Sequence, residues 1–587
     1  MVKLIIDGQN VEAPENTTIL EAARSVDINI PSLCYLKGIN NIGACRVCIV
    51  EVEGIENMVS SCNNPVKDGM IIHTNSPKVR EARKTNTELI LSQHDSKCAV
   101  CSRSGNCTLQ TIANDLGIIS IPYPMKVPAY KWSPRSPLIR DASKCIKCMR
   151  CVQVCDKIQT LNIWDVEGTG ARTTVDISFN RKIMDADCSF CGQCVTHCPV
   201  GALSVRDETP KMFEALADTE KVVIVQIAPA VRAAWGEELG LSKEEAEVGK
   251  IVDALKRMGV DYVFDTDFAA DLTIMEEGSE LLERLKGEKH KYPMFTSCCP
   301  GWVRFMKSQF PDMTDCLSTA KSPQQMFGAI VKEYYAKKMG IEKDKLFVAS
   351  IMPCLAKKSE SILPTMNAAN TGRDVDLVLT TREFVRMLRA EHISPKTLEN
   401  KAFDELLGEA TGAGVIFGVT GGVMEAALRT AYYIVMGENP EADAFKNVRG
   451  MKGWREAEFT VADTTLKVAV ASGLGNARHL INAIRKGDVS YDFVEIMACP
   501  GGCAGGGGQP IKDGEERAEM RGNHLYFLDD ISNIRFSHEN PAIEKLYKEY
   551  LEKPLSHKAH KLLHTDHFGW EMPLAPKEKL INLNTKK

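Results

Sequence analysis

Cysteine placement constrains this 587-residue chain more than any other feature. Eight of its 21 cysteines form two copies of one spacing, C-x2-C-x2-C-x3-C: Cys145, Cys148, Cys151 and Cys155, then Cys188, Cys191, Cys194 and Cys198. Three thiolates at this interval wrap one iron–sulfur cube, and the fourth crosses to the cube of the other copy. Zinc is the rival ligand. It needs four donors, usually two separated C-x2-C pairs, and would leave half of this set idle. The pattern implies a chain that carries electrons.

The rest of the composition sets bounds. The length predicts several domains. A hydrophobic content of 44% and a charged content of 25% are those of a globular protein with a large core. A net charge of −5 gives no basic surface for nucleic acid. The longest apolar run, 222–231, is broken by Gln226 and too short to span a bilayer. The start of the chain lacks the pattern of a secretory signal. Many thiols without an export signal lead us to expect a reducing, cytoplasmic setting, where cysteines serve metals.

Residues 2–13 read as a hairpin around Asp7-Gly8, a strong tight-turn pair. A helix follows, with Thr18 and Glu21 placed as a capping box. Cys34, Cys45, Cys48 and Cys62 come next, in the order expected of a small β-grasp ferredoxin over 1–77. Their spacing departs from the plant type, so zinc stays open. Residues 78–117 form a small helical segment holding His94, Cys98, Cys101 and Cys107, which suit either structural zinc or a cube with one nitrogen ligand. Five prolines, Pro122, Pro124, Pro128, Pro134 and Pro137, mark 118–140 as an extended linker. The eight-cysteine module occupies 141–208, an α+β double ferredoxin.

From 209 to 565 strand-like runs (VVIVQI, YVFD, LFVAS, KVAVAS) alternate with helical patterns, which predicts α/β layers with buried sheets. The glycine runs there carry no dinucleotide fingerprint. Glycine beside cysteine instead lets backbone approach a bulky inorganic body. Three cysteine motifs stand out: TSCCPGW at 296–302, MPCLAKK at 352–358 and MACPGGCAGGGGQP at 497–510. Each thiol is flanked by apolar residues, proline or glycine, where a bare thiolate is costly unless metal holds it.

These three motifs resemble the active-site signatures of the iron-only (FeFe) hydrogenases. The four N-terminal motifs are similar to that family's accessory relay, in the same order, as in its clostridial type. The likeness runs from the first ferredoxin to SHEN at 537–540. It implies a multidomain α/β protein whose large catalytic domain has two sheets flanked by helices. It further implies that Cys299, Cys354, Cys499 and Cys503 hold a 4Fe–4S cube. Cys503 would also bridge to a two-iron subsite carrying carbon monoxide, cyanide and a dithiolate, the whole being the H-cluster. Cys298 would deliver protons and Lys357 would pair with a cyanide. Pro229, Ala230, Gln324, Met352, Phe417 and Met497 would line the pocket. Glu277, Glu280, Ser318 and Arg284 would carry protons to solvent.

The residue types suit those roles. A thiol can hold and release a proton. Two carboxylates three residues apart share a helix face, and a hydroxyl can bridge them. Ala230 departs from relatives that carry serine there, which predicts a tuned site. The likeness also assigns one 2Fe–2S cluster to Cys34, Cys45, Cys48 and Cys62, and a 4Fe–4S cluster to His94, Cys98, Cys101 and Cys107. With the double ferredoxin that makes three accessory 4Fe–4S clusters. Nineteen ligand thiols, Cys298 and a buried structural Cys316 then account for every cysteine.

The expected function is reversible reduction of protons to H2, with electrons from ferredoxin. An alternative is the catalytic subunit of an NAD(P)H-linked complex, fed by flavoprotein subunits. A hydrogen sensor or a pure electron-transfer subunit are rivals of another class. The presence of Cys298 and of the three motifs argues against both. Dedicated maturation factors are expected for the two-iron subsite. Residues 566–587 read as an unassigned polar tail.

Overall fold

The computed structural model describes residues 1–127, 131–287, 292–405, 407, 410–451, 453–461 and 464–573. Pro128 of the linker and 574–587 of the tail lie outside them. The chain divides into two compact units.

The first unit comprises Met1–Met184, Gln193–Ser204 and Lys512–Glu515. Its N-terminal sheet contains β1 (Val2–Ile6), β2 (Gln9–Ala13), β3 (Ile49–Val52), β4 (Val59–Ser60) and β5 (Ile71–His73), in the order β2-β1-β5-β3-β4. The hairpin forms at Asp7-Gly8, with Ile6 opposite Gln9. Alternate residues Val2, Leu4 and Ile6 point inward, onto Ile19, Leu20 and Ala23 of the helix Ile19–Arg24. Only half of the expected capping box is made. The Thr18 side chain accepts from the Glu21 amide at 3.3 Å, while Glu21 instead pairs with Arg24 and Lys37. Helices Pro77–Leu91 and Thr108–Asp115 flank the second cysteine segment. Short ladders of β6 (Leu138–Arg140) with β9 (Leu203–Val205), and of β7 (Trp164–Glu167) with β8 (Thr174–Ile177), frame the double-ferredoxin cysteines.

The second unit comprises Asp185–Gly192, Val205–Ile511 and Glu516–Lys587. One sheet holds β10 (Val222–Ile227), β11 (Tyr262–Asp265), β13 (Leu346–Met352) and β14 (Leu377–Thr380), in the order β11-β10-β13-β14 and wholly parallel. The other holds β12 (Met294–Phe295), β15 (Trp454–Val461), β16 (Thr464–Ser472) and β17 (Phe493–Met497), in the order β12-β17-β16-β15, with only β15 antiparallel. The four apolar runs read from the sequence are thus β10, β11, β13 and β16. They are near-continuous in hydrophobicity because helices cover both faces of a parallel sheet. The first residues of the presumed tail are packed: Lys307 Nζ lies 3.9 Å from the Trp570 ring centroid, and His567 Nε2 lies 2.8 Å from the Ser318 carbonyl.

Candidate active site

Three strands of the second unit run directly into the cysteine motifs. TSCC follows β12, MPC ends β13, and MACPGGC ends β17. Ligands of open parallel sheets bind beyond the carboxyl ends of the strands, and both sheets deliver their loops to one cavity. Cys354 comes from the first sheet; Cys299, Cys499 and Cys503 come from the second.

The loops just described wall that cavity. Cys298, Cys299, Cys354, Cys503 and Lys357 line it, as do all six pocket residues named from the sequence: Pro229, Ala230, Gln324, Met352, Phe417 and Met497. The Cys499 thiol is a near neighbour of Cys299, Cys354 and Cys503. Burial drives the Cys298 and Cys499 thiols well up from the usual range and Cys354 to about 12. The four proposed ligand thiols, Cys299, Cys354, Cys499 and Cys503, are all raised by burial in one dry hollow. They suit a soft metal body, whose charge stabilises the thiolate form. Glycine shapes the approach. Gly502 has φ +77°, and a Cβ there would lie 2.7 Å from the Thr420 amide nitrogen. A Cβ on Gly507 would lie 2.6 Å from both the Cys191 carbonyl oxygen and the Gly192 Cα.

Lys357 is buried, and its ammonium donates to the Cys298 carbonyl at 3.1 Å and to Glu360 at 3.2 Å. Burial opposes its charge, but Glu360 and the neighbouring thiols hold its pKa above the ordinary lysine range. Glu360 is equally buried and also accepts from Ser322 at 2.9 Å and Gln324 at 3.2 Å. Sequence reasoning missed Glu360. Its signal was local, since it stands three residues after Lys357 on one helix face.

The carboxylates expected to relay protons lie on the helix Asp267–Lys286. Glu277 is fully buried and neither of its oxygens finds a hydrogen-bond donor. Burial, reinforced by the Glu280 charge, raises it to about 8. Glu280 accepts from Ser318 Oγ at 2.8 Å and from Arg284 at 2.7 Å. Ser318 caps Glu280, and its hydroxyl also acts on Glu277, opposing the upward shift. Side-chain exposure rises from Glu280 at 11% to Arg284 at 22%, so the row leads from the interior toward solvent.

Glu277 makes a pH prediction. Below about 8 it holds a proton that the unfolded chain surrenders above 4.5. Folded stability should therefore fall as pH climbs from 4.5 toward 8, with a slope of up to about 1.4 kcal/mol per pH unit for this one group. Glu277→Gln should flatten that slope, as read by thermal unfolding between pH 5 and 8. It should also abolish an infrared carboxylic-acid band that persists at neutral pH. An unchanged slope with the band retained would show that Glu277 is ionised throughout.

The accessory ligands fall as follows. Cys34, Cys45, Cys48 and Cys62 are buried together, with direct contacts among their thiols. His94 is buried, and its Nδ1 lies 2.9 Å from the Lys144 carbonyl. A carbonyl only accepts, so Nδ1 donates and Nε2 keeps its lone pair for a metal. Cys98, Cys101 and Cys107 are half-buried. Cys145, Cys148, Cys151 and Cys198 line one cavity. That set joins three thiols of the first repeat to the last of the second, the crossed pattern read from the spacing. Cys155 and Cys194 belong to the first unit, Cys188 and Cys191 to the second. The Cys191 carbonyl lies 3.6 Å from Cys499 Sγ. Cys316 is not the buried thiol expected: it is half-exposed beside Asp315, because its short helical turn lies at the surface.

Residues 221–507 match the iron-only hydrogenase large subunit, C-terminal domain, and 515–570 match the iron hydrogenase small subunit. Residues 1–77 match a 2Fe–2S iron–sulfur cluster binding domain, 83–122 the NADH-ubiquinone oxidoreductase-G iron–sulfur binding region, and 144–202 a 4Fe–4S dicluster domain. The chain is 50% identical over 580 residues to the NADP-reducing hydrogenase subunit HndD of Solidesulfovibrio fructosivorans, covering 97% of this chain and 99% of that one. It is 40% identical over 572 residues to iron hydrogenase 1 of Clostridium pasteurianum, covering 96% and 99%. An apo FeFe-hydrogenase HydA1 structure from Chlamydomonas reinhardtii is 42% identical, with a TM-score of 0.55 over 63% of this chain and all of that one.

Proposed function

The chain belongs to the iron-only hydrogenases, enzymes that join two protons and two electrons into H2 and run the reaction back; from that premise we propose that it works as the catalytic subunit of an NADP(H)-linked hydrogenase complex. The observation that carries this is its 50% identity, over nearly both full lengths, to a subunit named as NADP-reducing. The ferredoxin-fed reading has the weaker support of 40% identity to iron hydrogenase 1. Since no dinucleotide fingerprint stands in the sequence, partner subunits would handle the nicotinamide, with flavin as the natural two-to-one electron converter. Among the described residues no helix is long and apolar enough to cross a membrane.

The donor set fits an iron–sulfur body, and the site is assigned accordingly. Cys299, Cys354, Cys499 and Cys503 would hold the cube, with Cys503 shared with a two-iron subsite installed by maturation factors. When bound, that H-cluster supplies the redox chemistry. The chain's own groups do the rest. Met352, Met497, Phe417 and Pro229 keep water out of the cavity. Lys357, held charged by Glu360, places an ammonium where an anionic cyanide would lie. Cys298 holds a proton at its sulfur on the cavity wall and is resupplied through Glu277. Glu280, oriented by Ser318 and Arg284, hands protons in from the solvent side. Electrons would enter through one 2Fe–2S cluster and three 4Fe–4S clusters held by the accessory ligands described above.

A tagged chain purified without air from its source cells should bring flavoprotein partners with it. That complex should evolve H2 from NADPH, whereas the isolated chain should do so only with a reduced low-potential carrier. Solitary purification, with full activity on reduced ferredoxin and none from NADPH, would return the enzyme to the ferredoxin-fed class.

A further inference from the structure

Arg103 is a buried guanidinium without a partner. It is 6% exposed, and none of its three nitrogens finds an acceptor. Other buried arginines of the first unit each have at least one acceptor, though Arg150 Nε has none. Arg83 donates to the carbonyls of Val47, Ile49 and Thr74, Arg140 pairs with Asp176 at 3.0 Å, and Arg150 pairs with Asp513 at 2.5 Å. Stranding a permanent cation in a dry interior is among the most costly things a fold can do. Such a group persists only if something anionic faces it.

Its surroundings name that anion. Arg103 stands in the turn between Cys101 and Cys107, fixed by the Ser104 amide on the Cys101 carbonyl and the Asn106 amide on its own, each at 3.0 Å. This turn lies on the segment after Cys198. Cys107 Sγ is 3.8 Å from the Pro199 carbonyl. A Cβ on Gly201 would stand 2.4 Å from Cys101 Sγ, so glycine is what lets the two segments close. The Arg103 charge acts on Cys107 and on Cys198 alike. Those thiols belong to different ligand sets, one with His94, Cys98 and Cys101, the other with Cys145, Cys148 and Cys151.

We propose that Arg103 is a charge shared by two accessory clusters, its N–H groups serving the sulfurs of both and raising the reduction potentials of both together. The inference rests on the cluster assignments proposed above. A guanidinium has five donors spread in a plane, enough to address two acceptors at once. Each cluster gains one negative charge on reduction, and a fixed cation nearby favours that state. Loss of the cation should lower both midpoints, so that at a fixed potential the reduced-to-oxidised ratio drops about tenfold, or about 59 mV for a one-electron couple.

The test is an EPR-monitored redox titration of the anaerobically reconstituted full chain, with iron content measured on the same samples. In Arg103→Met the midpoints of these two 4Fe–4S clusters should fall, while those of the third accessory 4Fe–4S cluster and of the 2Fe–2S cluster stay. In Arg103→Lys, which keeps the charge, both should return toward the parent values. A full iron complement with unmoved midpoints would overturn the proposal, and so would movement of only one. If Arg103→Met loses a cluster, the lysine variant decides: both clusters kept at near-parent potentials supports the shared charge, and loss there too makes Arg103 a matter of packing. A parent chain without 4Fe–4S signals would sink the cluster assignments themselves.

Discussion

Replacing Cys298 with alanine is expected to cut H2 turnover by about 10²–10⁴-fold, the usual worth of a positioned proton donor, while the iron complement is unchanged. The expectation follows from position. Cys298 shares the cavity wall with Cys299, yet the loop turns so that Cys299 caps the helix Pro300–Gln309 and faces the other ligand thiols. Cys298 instead faces the Glu277 side, and its carbonyl, not its sulfur, is what Lys357 grips. Removing Sγ therefore interrupts proton delivery without disturbing the ligand set or the lysine. Serine is too weak an acid to restore the rate, so Cys298→Ser should resemble alanine, whereas aspartate should recover part of it. Turnover assays beside infrared spectra of the diatomic ligands make the comparison. Near-normal turnover in Cys298→Ala would remove the thiol from the proton route.

Glu360→Ala should be strongly damaging although it touches no proposed ligand. It leaves the buried Lys357 ammonium with no counter-charge and strips Ser322 and Gln324 of a shared acceptor, and breaking a buried pair in this way costs about 3–5 kcal/mol. Lys357 should then lose its proton, because the carboxylate is the main force opposing burial. Two readouts follow: a lower unfolding temperature, and weaker retention of the cyanide-bearing subsite after maturation. Glu360→Gln keeps an acceptor for Ser322 but no charge, so it should recover some stability and little retention. If alanine leaves the unfolding temperature unchanged, the lysine is held by the Cys298 carbonyl alone.

What the sequence disclosed depended on range. Cluster ligands recur at short intervals because a cube is a few ångströms wide, so Cys145 to Cys198 announced themselves. Strands β10, β11, β13 and β16 were visible because a doubly covered sheet demands unbroken apolar runs. The pocket residues Phe417, Gln324 and Pro229 were not readable from their own neighbourhoods and came only through family likeness. Long-range pairings were hidden altogether. Nothing near Ser318 says that it faces Glu280, 38 positions away, and nothing near Arg103 says that its guanidinium lacks a partner. Cys316 was misplaced for the same reason: burial of a lone thiol is a property of the whole fold, not of its flanking residues.

The division of the four thiols between two sheets has a thermodynamic consequence. Cys354 hangs from β13, and the other three hang from the sheet of β12 and β17. A cube gripped by all four would act as a rivet across the seam of the large unit, so that the free energy of loading metal would also be free energy of closing the fold. An iron-free chain should then be looser along that seam than anywhere else in the unit, and assembly of the metal body and final consolidation of the protein would be one event.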